Sequence, residues 1–219
     1  MIVDGCCFCE EIITPLNNQF YNEIGYRLGI QDRIVRQNNN LIVVPTIGSL
    51  VAGYLLFVTR THYLSMAELP EETAFSLFHL LDDVMADVHR ILNMPCVLFE
   101  HGTTSEISNG ANSVTHCHIH MAPFAKPIWG KIQKDYMIND SKEFLSVNEA
   151  YKYVSTKKPL TYLYFMDVNK KHHIIDENKE FPSQFFRKVI ANELNYADMW
   201  NWREYAFEDN LQKTLNLLN

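Results

Sequence analysis

The segment His116-Cys117-His118-Ile119-His120-Met121-Ala122-Pro123 constrains this chain more than any other. Three histidines fall at every second position. In an extended strand, side chains at i, i+2 and i+4 point to one face. His116, His118 and His120 would then share one side, with Cys117, Ile119 and Met121 on the other. A helix would spread the same three rings over about half a turn or more, and Pro123 sits badly inside a continuing helix. The spacing therefore predicts a strand that presents a row of imidazoles. The plainer alternative is a half-buried strand with three incidental histidines. Nine histidines in 219 residues seldom fall in that register by chance.

Length and composition bound the rest. A chain of 219 residues suits one large domain, or a domain with an extension. Apolar residues make up 47% and charged residues 21%, a balance able to bury a core. The net charge of −7 argues against non-specific binding of nucleic acid or anionic membranes. The sequence has no apolar run of the roughly 18 residues that a membrane span needs. Met1 to Gly5 carry neither the basic start nor the apolar core of a signal peptide, so the expected location is cytoplasmic. Five cysteines then read as thiols or metal ligands rather than disulfides.

Cys6 and Cys9 have the Cys-x-x-Cys spacing of half a zinc site. Alone, that spacing is equally open to a redox reading, but redox motifs want a βαβ context that does not follow here. Cys7 could replace Cys6, although Cys-x-Cys suits a single zinc less often. Arg33 to Gln37, Asn38 to Asn40 and Leu41 to Pro45 read as strand, turn and strand. Ala52 to Arg60 reads as a buried strand. Glu68-Leu69-Pro70-Glu71-Glu72 opens a helix running to about Asn93, with early proline and acidic residues at its start. Phe75, Phe78, Leu81, Met85, Val88 and Leu92 would form its core face; His79 and His89 read as solvated. Cys96 to Phe99 reads as a strand leading into Glu100-His101-Gly102. A polar loop, Thr103 to Asn112, then returns to the histidine row. Such a loop lets backbone N–H groups approach a phosphate.

Beyond Pro123, Ser141 to Val154 has helical character, with Phe144, Leu145, Val147 and Ala150 inward. Tyr162 to Met166 and His172 to Ile175 read as a second hairpin pair. His172 and His173 would lie on opposite faces and so make a poor metal pair. Phe181-Pro182-Ser183-Gln184 reads as a helix start, with Phe185, Val189, Ile190 and Leu194 on one face. Gln184 and Arg187 would share a side. A terminal helix is expected over 210–219.

The pattern His-φ-His-φ-His-φ-φ, where φ is apolar, resembles the histidine-triad (HIT) family of nucleotidyl hydrolases and transferases. The resemblance extends upstream through Gly53-Tyr54-Leu55-Leu56-Phe57-Val58, Arg60-Thr61-His62, the long helix and Phe99-Glu100-His101-Gly102. It implies an α+β, HIT-like fold: a central antiparallel sheet with one long packed helix over residues 1–125, and a C-terminal α+β extension over 126–219. It implies His118 as the nucleophile that forms a covalent nucleotidyl-histidine, and His120 as its partner at the phosphate or the leaving group. Many members, and the related galactose-1-phosphate uridylyltransferase, hold a structural zinc. Carried over, its ligands are Cys6, Cys9, His62 and His116. The phosphate-binding serine corresponds to Ser113, beside Asn112, and the family's asparagine position holds His101. The loop Val44 to Gly48 lacks the acid that usually meets the ribose hydroxyls. Extended relatives carry a proline followed by glutamine and arginine on a helix, which implies substrate contacts by Gln184 and Arg187. Members are commonly dimers, so a homodimer is among the implied partners.

Two classes of function stay open on the sequence. One is an enzyme acting on a nucleoside phosphate ester, anhydride or phosphoramidate, with sugar nucleotides included. The other is a nucleotide-binding module with little turnover, or a plain metalloprotein. The last fits least well, because three histidines and two cysteines exceed four tetrahedral positions. There is no Walker motif, serine nucleophile elbow or kinase signature.

Overall fold

A computed structural model of the chain describes residues 2–105, 114–176 and 181–218. In chain order the elements are α1 (Cys7–Ile13), a π-helical turn (Tyr21–Gly25) running into α2 (Tyr26–Leu28), β1 (Arg36–Gln37), β2 (Leu41–Pro45), β3 (Leu55–Thr59), a 3-10 turn (Met66–Glu68), α3 (Glu71–Leu92), β4 (Cys96–Thr103), β5 (His118–Pro123), α4 (Trp129–Asp135), β6 (Lys142–Phe144), α5 (Val147–Lys157), β7 (Thr161–Met166), β8 (His172–Ile175), α6 (Phe185–Glu193) and α7 (Glu208–Leu218). Among the described residues the strands form one sheet in the order β1-β2-β3-β5-β4-β7-β8-β6. Every pairing is antiparallel. The class is α+β.

The sheet is covered on both faces. Leu55, Phe57, Leu98, Ile119 and Met121 pack against Leu77, Leu81 and Val84 of α3, Val154 of α5 and Leu211 of α7. Leu56, Val58, Val97 and Phe99 pack the other way, with Phe8 of α1, Ile132 of α4 and Phe186 of α6. Two-sided burial explains why β2 and β3 read as continuous apolar runs rather than alternating ones. The segment beyond Pro123 supplies β6, β7 and β8 to the same sheet, with β7 paired along β4 from Leu98↔Met166 to Thr103↔Thr161. No helix of the described residues is long and apolar enough to cross a membrane.

Helix α3 starts after Pro70, with Glu71 and Glu72 in its first turn, and stops at Asn93 in the left-handed region with φ 49°. Its buried stripe runs through Ala74, Leu77, Phe78, Leu81, Val84 and Val88. Phe75 falls beside that stripe and is 43% exposed, against the expectation that it faces the core. His79 and His89 are exposed, as read.

Several boundaries differ from the sequence reading, each for a local reason. The strand expected over 33–37 is only Arg36–Gln37. The strand expected to stop at Phe99 continues to Thr103, because β7 pairs with Glu100, His101 and Gly102. Helix α5 begins only at Val147, where Ser146 accepts a hydrogen bond from the Glu149 N–H. Lys142–Phe144 ahead of it is an edge strand, and Leu145 is 81% exposed rather than inward. Helix α6 begins at Phe185, not near Phe181, because Gln184 is left-handed at φ 59°. His172 and His173 do take opposite faces, and both are buried. His172 bonds to the Tyr164 hydroxyl at 2.8 Å, while His173 stacks on Trp129 at 4.0 Å.

Alternation along β4 sends Leu98 and Glu100 to the α3 face, and Phe99 to the other. Glu100 is therefore a buried carboxyl in an apolar layer. It accepts from the Met66 N–H at 2.8 Å and from the Tyr162 hydroxyl. Burial pushes its pKa up to about 7. Ordinary glutamate titrates near 4.3, so between these values the folded chain holds a proton that the unfolded chain has released. Stability must fall as pH rises through that window. Denaturant unfolding at about pH 4.5 and about pH 7.5 should show wild type losing up to about 3 kcal/mol relative to Glu100→Gln. Parallel pH curves for the two proteins would contradict this account.

Candidate active site and metal cage

In β5, Ile119 and Met121 enter the α3 layer, so the same period sends His118 and His120 to the opposite face. There they line a partly open cavity of about 880 Å³, mouth included. Its walls include Phe8 and Cys7 of α1, Phe20, Leu56 of β3, Phe99 and His101 of β4, Gln184, Phe185, Phe186 and Arg187 around the start of α6, and Trp202.

His118 Nδ1 lies 2.5 Å from the carbonyl oxygen of His116. A carbonyl only accepts, so Nδ1 carries the hydrogen and Nε2 keeps its lone pair. Burial holds the ring below the usual histidine pKa, which favours the neutral form. His120 is the cross-strand neighbour of Phe99 and stacks on it at 4.5 Å, with 8° between the planes. Its centroid is 4.9 Å from that of His118. Its Nδ1 is 2.9 Å from the Tyr54 hydroxyl. Burial first, then His118 and Arg187, hold its pKa well below the ordinary value.

Arg187 is 3% exposed. Its Nη2 donates to the Gly48 carbonyl at 2.7 Å and its Nε to the Trp200 carbonyl at 3.2 Å. Nη1 has no hydrogen-bond partner among the described residues. Gly48 makes the close approach possible. Its φ is +74°, and a Cβ there would lie 2.7 Å from Arg187 Nη2 and 2.6 Å from Trp202 Cβ. Arg187 lines the cavity, and a guanidinium with no carboxylate partner among the described residues suits an anion.

The other expected substrate residues divide. His101 lines the cavity with a buried Nδ1 that has no hydrogen-bond partner among the described residues, and burial lowers its pKa to about 4. Gln184 lines it too, but its amide donates to Asn201 Oδ1 at 3.2 Å and accepts from the Trp202 N–H at 3.3 Å. It ties down the 200–202 turn. Ser113 and Asn112 lie outside the described residues. Two features in and behind the wall escaped sequence reasoning. One is the buried pair Arg33–Glu11, bidentate at 2.6 and 2.7 Å, with Arg33 over the Phe20 ring at 4.5 Å. The other is Tyr54, which lies behind His120.

The Cys-x-x-Cys segment meets its ligand candidates. The donor atoms of Cys6, Cys9, His62 and His116 all lie within 4.8 Å of one another. Cys6 Sγ is 3.3 Å from His116 Nδ1, and Cys9 Sγ is 3.4 Å from His62 Nδ1. His116 Nε2 lies 2.7 Å from the Thr59 carbonyl, so it donates there and leaves the Nδ1 lone pair facing the sulfurs. His116 sits ahead of the ladder of β5, not in it. Two thiols and two imidazoles match the donor set of a closed tetrahedral zinc site. Cys7 faces the cavity instead, with its thiol raised by burial to about 12. Phe8 joins the two regions, 5.7 Å from the His116 ring and 5.4 Å from that of His118.

No protein-family model matches the chain, and no curated protein matches its sequence. Several solved structures similar to it are of HIT family proteins. A HIT family member from Bacillus subtilis is 17% identical, covering 71% of this chain and 96% of its own, with a TM-score of 0.43. A Hit-like protein from Bartonella henselae is 15% identical, covering 57% and 84%, with a TM-score of 0.42. A zinc-bound histidine triad family protein from Mycobacterium smegmatis is 15% identical, covering 45% and 70%, with a TM-score of 0.34.

The free edge of Arg187 has a direct consequence. Inorganic phosphate at about ten times its dissociation constant should raise the unfolding free energy by about 1.4 kcal/mol. In Arg187→Met that increment should vanish. Denaturation curves with and without phosphate measure it, and a wild type indifferent to phosphate would remove the anion site.

Proposed function

We propose that this chain is a nucleotidyl hydrolase or transferase of the histidine-triad type, working through a covalent nucleotidyl intermediate on His118. The observation that carries the reading is the bond between His118 Nδ1 and the His116 carbonyl. It leaves the Nε2 lone pair on a ring that lines the cavity. A neutral imidazole so fixed is a competent nucleophile at phosphorus. Arg187 lines the same cavity, and its guanidinium suits the phosphate oxygens.

The reaction runs in two halves. His118 Nε2 attacks the α-phosphorus. A nitrogen–phosphorus bond forms, and the leaving group departs with its bonding pair, to be protonated from water. Arg187 and His120 stabilise the charge on the phosphoryl oxygens. Water or another acceptor hydroxyl then attacks phosphorus and gives up its proton to solvent. The nitrogen–phosphorus bond breaks and its pair returns to Nε2. Phe8, Phe20, Phe99, Phe186 and Trp202 offer flat apolar surface for a base. Cys6, Cys9, His62 and His116 would hold a structural zinc, which would cross-link α1, the segment after β3 and the entry to β5.

The test combines an adduct with a metal assay. Incubation with a nucleoside 5′-phosphoramidate or phosphodiester, quenched in acid, should add one nucleotidyl mass to the peptide carrying His118. His118→Asn should abolish the adduct and lower kcat by on the order of 10³-fold or more, while retaining one equivalent of zinc. Cys9→Ser should lose the zinc and melt at lower temperature. A nucleotide that binds wild type tightly without adduct or turnover would favour the binding-module reading.

A further inference from the structure

Tyr54 is fully buried at the foot of β3 and lies outside the cavity lining. We propose that it is a positioning residue, which fixes the tautomer of His120 so that the two cavity histidines present opposite chemistry at Nε2: a lone pair on His118 and a hydrogen on His120. The inference rests on the phosphoryl-transfer reading above for its consequence, but not for its geometry.

The argument is one of donors and acceptors. His118 Nδ1 donates to a carbonyl, which empties its Nε2. His120 Nδ1 meets a hydroxyl instead, at 2.9 Å, and a hydroxyl can give or take. Which it does is decided by the far side of Tyr54. Among the described residues its hydroxyl has no acceptor other than His120 Nδ1. The charged neighbour beside it is Arg187, whose Cζ lies 5.5 Å from the ring centroid, and a guanidinium only donates. If His120 Nδ1 carried the hydrogen, the buried phenol hydrogen would have nowhere to go, which proteins avoid. The phenol itself stays protonated, since burial raises it to about 12 against the pull of Arg187. So Tyr54 donates, His120 Nδ1 accepts, and the neutral ring must keep its hydrogen on Nε2.

Orientation is fixed by the same group. The ring is clamped face to face on Phe99 at 8°, and the Tyr54 contact stops it flipping in that slot. His120 Nε2–H then joins the Arg187 guanidinium as a second donor for the phosphoryl oxygens. It does not compete with His118 as a nucleophile. No proton changes hands at Tyr54; its role is to hold one tautomer.

Tyr54→Phe removes only the hydroxyl and keeps the ring that packs against Phe99 and Arg187. Nitrogen-15 NMR of the imidazoles reads the tautomer without any substrate. In wild type His120 should show a protonated Nε2 and a bare Nδ1, the reverse of His118. In Tyr54→Phe the Nδ1-protonated form of His120 should become populated while His118 is unchanged. Turnover of a nucleoside phosphodiester should fall about 10- to 100-fold in kcat with KM within about twofold, since the lost donor acts on developing charge. A wild-type His120 protonated on Nδ1 would overturn the inference. So would an unaltered tautomer and kcat in Tyr54→Phe. Wild type that shows the expected tautomers but neither adduct nor turnover would instead overturn the phosphoryl-transfer reading and leave the Tyr54 assignment standing.

Discussion

His116 is bonded at three points, and each bond belongs to a different part of the molecule. Its Nδ1 faces the sulfur of Cys6, its Nε2 donates to the Thr59 carbonyl, and its own carbonyl accepts from His118. The first point ties it to the N-terminal helix, the second to the end of β3, and the third to the ring at the cavity. A carbonyl cannot orient an imidazole unless its own peptide is held. Here the peptide is held by a side chain locked on both ring nitrogens. The cysteine and histidine cluster and the cavity are thus not separate features that happen to be close. The cage fixes a backbone group, and that group fixes the tautomer of the next histidine in the row.

The second constraint is the pleat. A strand buried on both faces must satisfy two environments at a period of two. In β5 one environment is the layer under α3, which takes Ile119 and Met121 and, just ahead of the strand, Cys117. The other is the aromatic floor made by Phe99, Phe8 and Phe186. Imidazoles tolerate such a floor when neutral, and burial keeps His118 and His120 neutral. The same burial that lowers their basicity raises their availability as lone-pair and N–H groups at neutral pH. Desolvation, a cost in stability terms, sets the protonation state that the proposed chemistry at phosphorus would need.

How much of this was legible in the sequence depends on distance along the chain. The histidine row was, because its signal is a period of two within five residues. Helix α3 was, because proline, acids and an apolar stripe are local. The strands β2, β3 and β7 were, because two-sided burial writes itself as apolar and aromatic runs. Ends were less legible. Gln184 looked helical with Arg187, yet its left-handed backbone starts the helix one residue later and turns its amide to Asn201 and Trp202. Leu145 looked like part of an amphipathic helix that Ser146 begins only after it. Contacts that join distant segments left no trace. Glu11 and Arg33 are 22 residues apart, Tyr54 and His120 are 66, and Gly48 and Arg187 are 139. No periodicity or spacing links such pairs; only the folded sheet brings them together. The cysteine and histidine cage was found early because metal ligands are few in kind, so residue type stood in for distance.

Arg187 shows what the long-range part adds. A guanidinium at 3% exposure with no carboxylate partner among the described residues is a poor investment for stability alone. Two of its nitrogens brace the loop at Gly48 and the turn at Trp200, and a methionine of similar length would fill the space without burying charge. The bracing uses only one side of the fork. The other side, Nη1, lies buried with no hydrogen-bond partner among the described residues, and the residue lines the cavity that the neutral histidines share. In the proposed reaction, a fixed positive charge beside two uncharged rings would divide the labour at an anion: the cation would supply field, and the rings a directed lone pair and hydrogen. That division holds only if the rings stay neutral, and the charge of Arg187 itself helps keep His120 so.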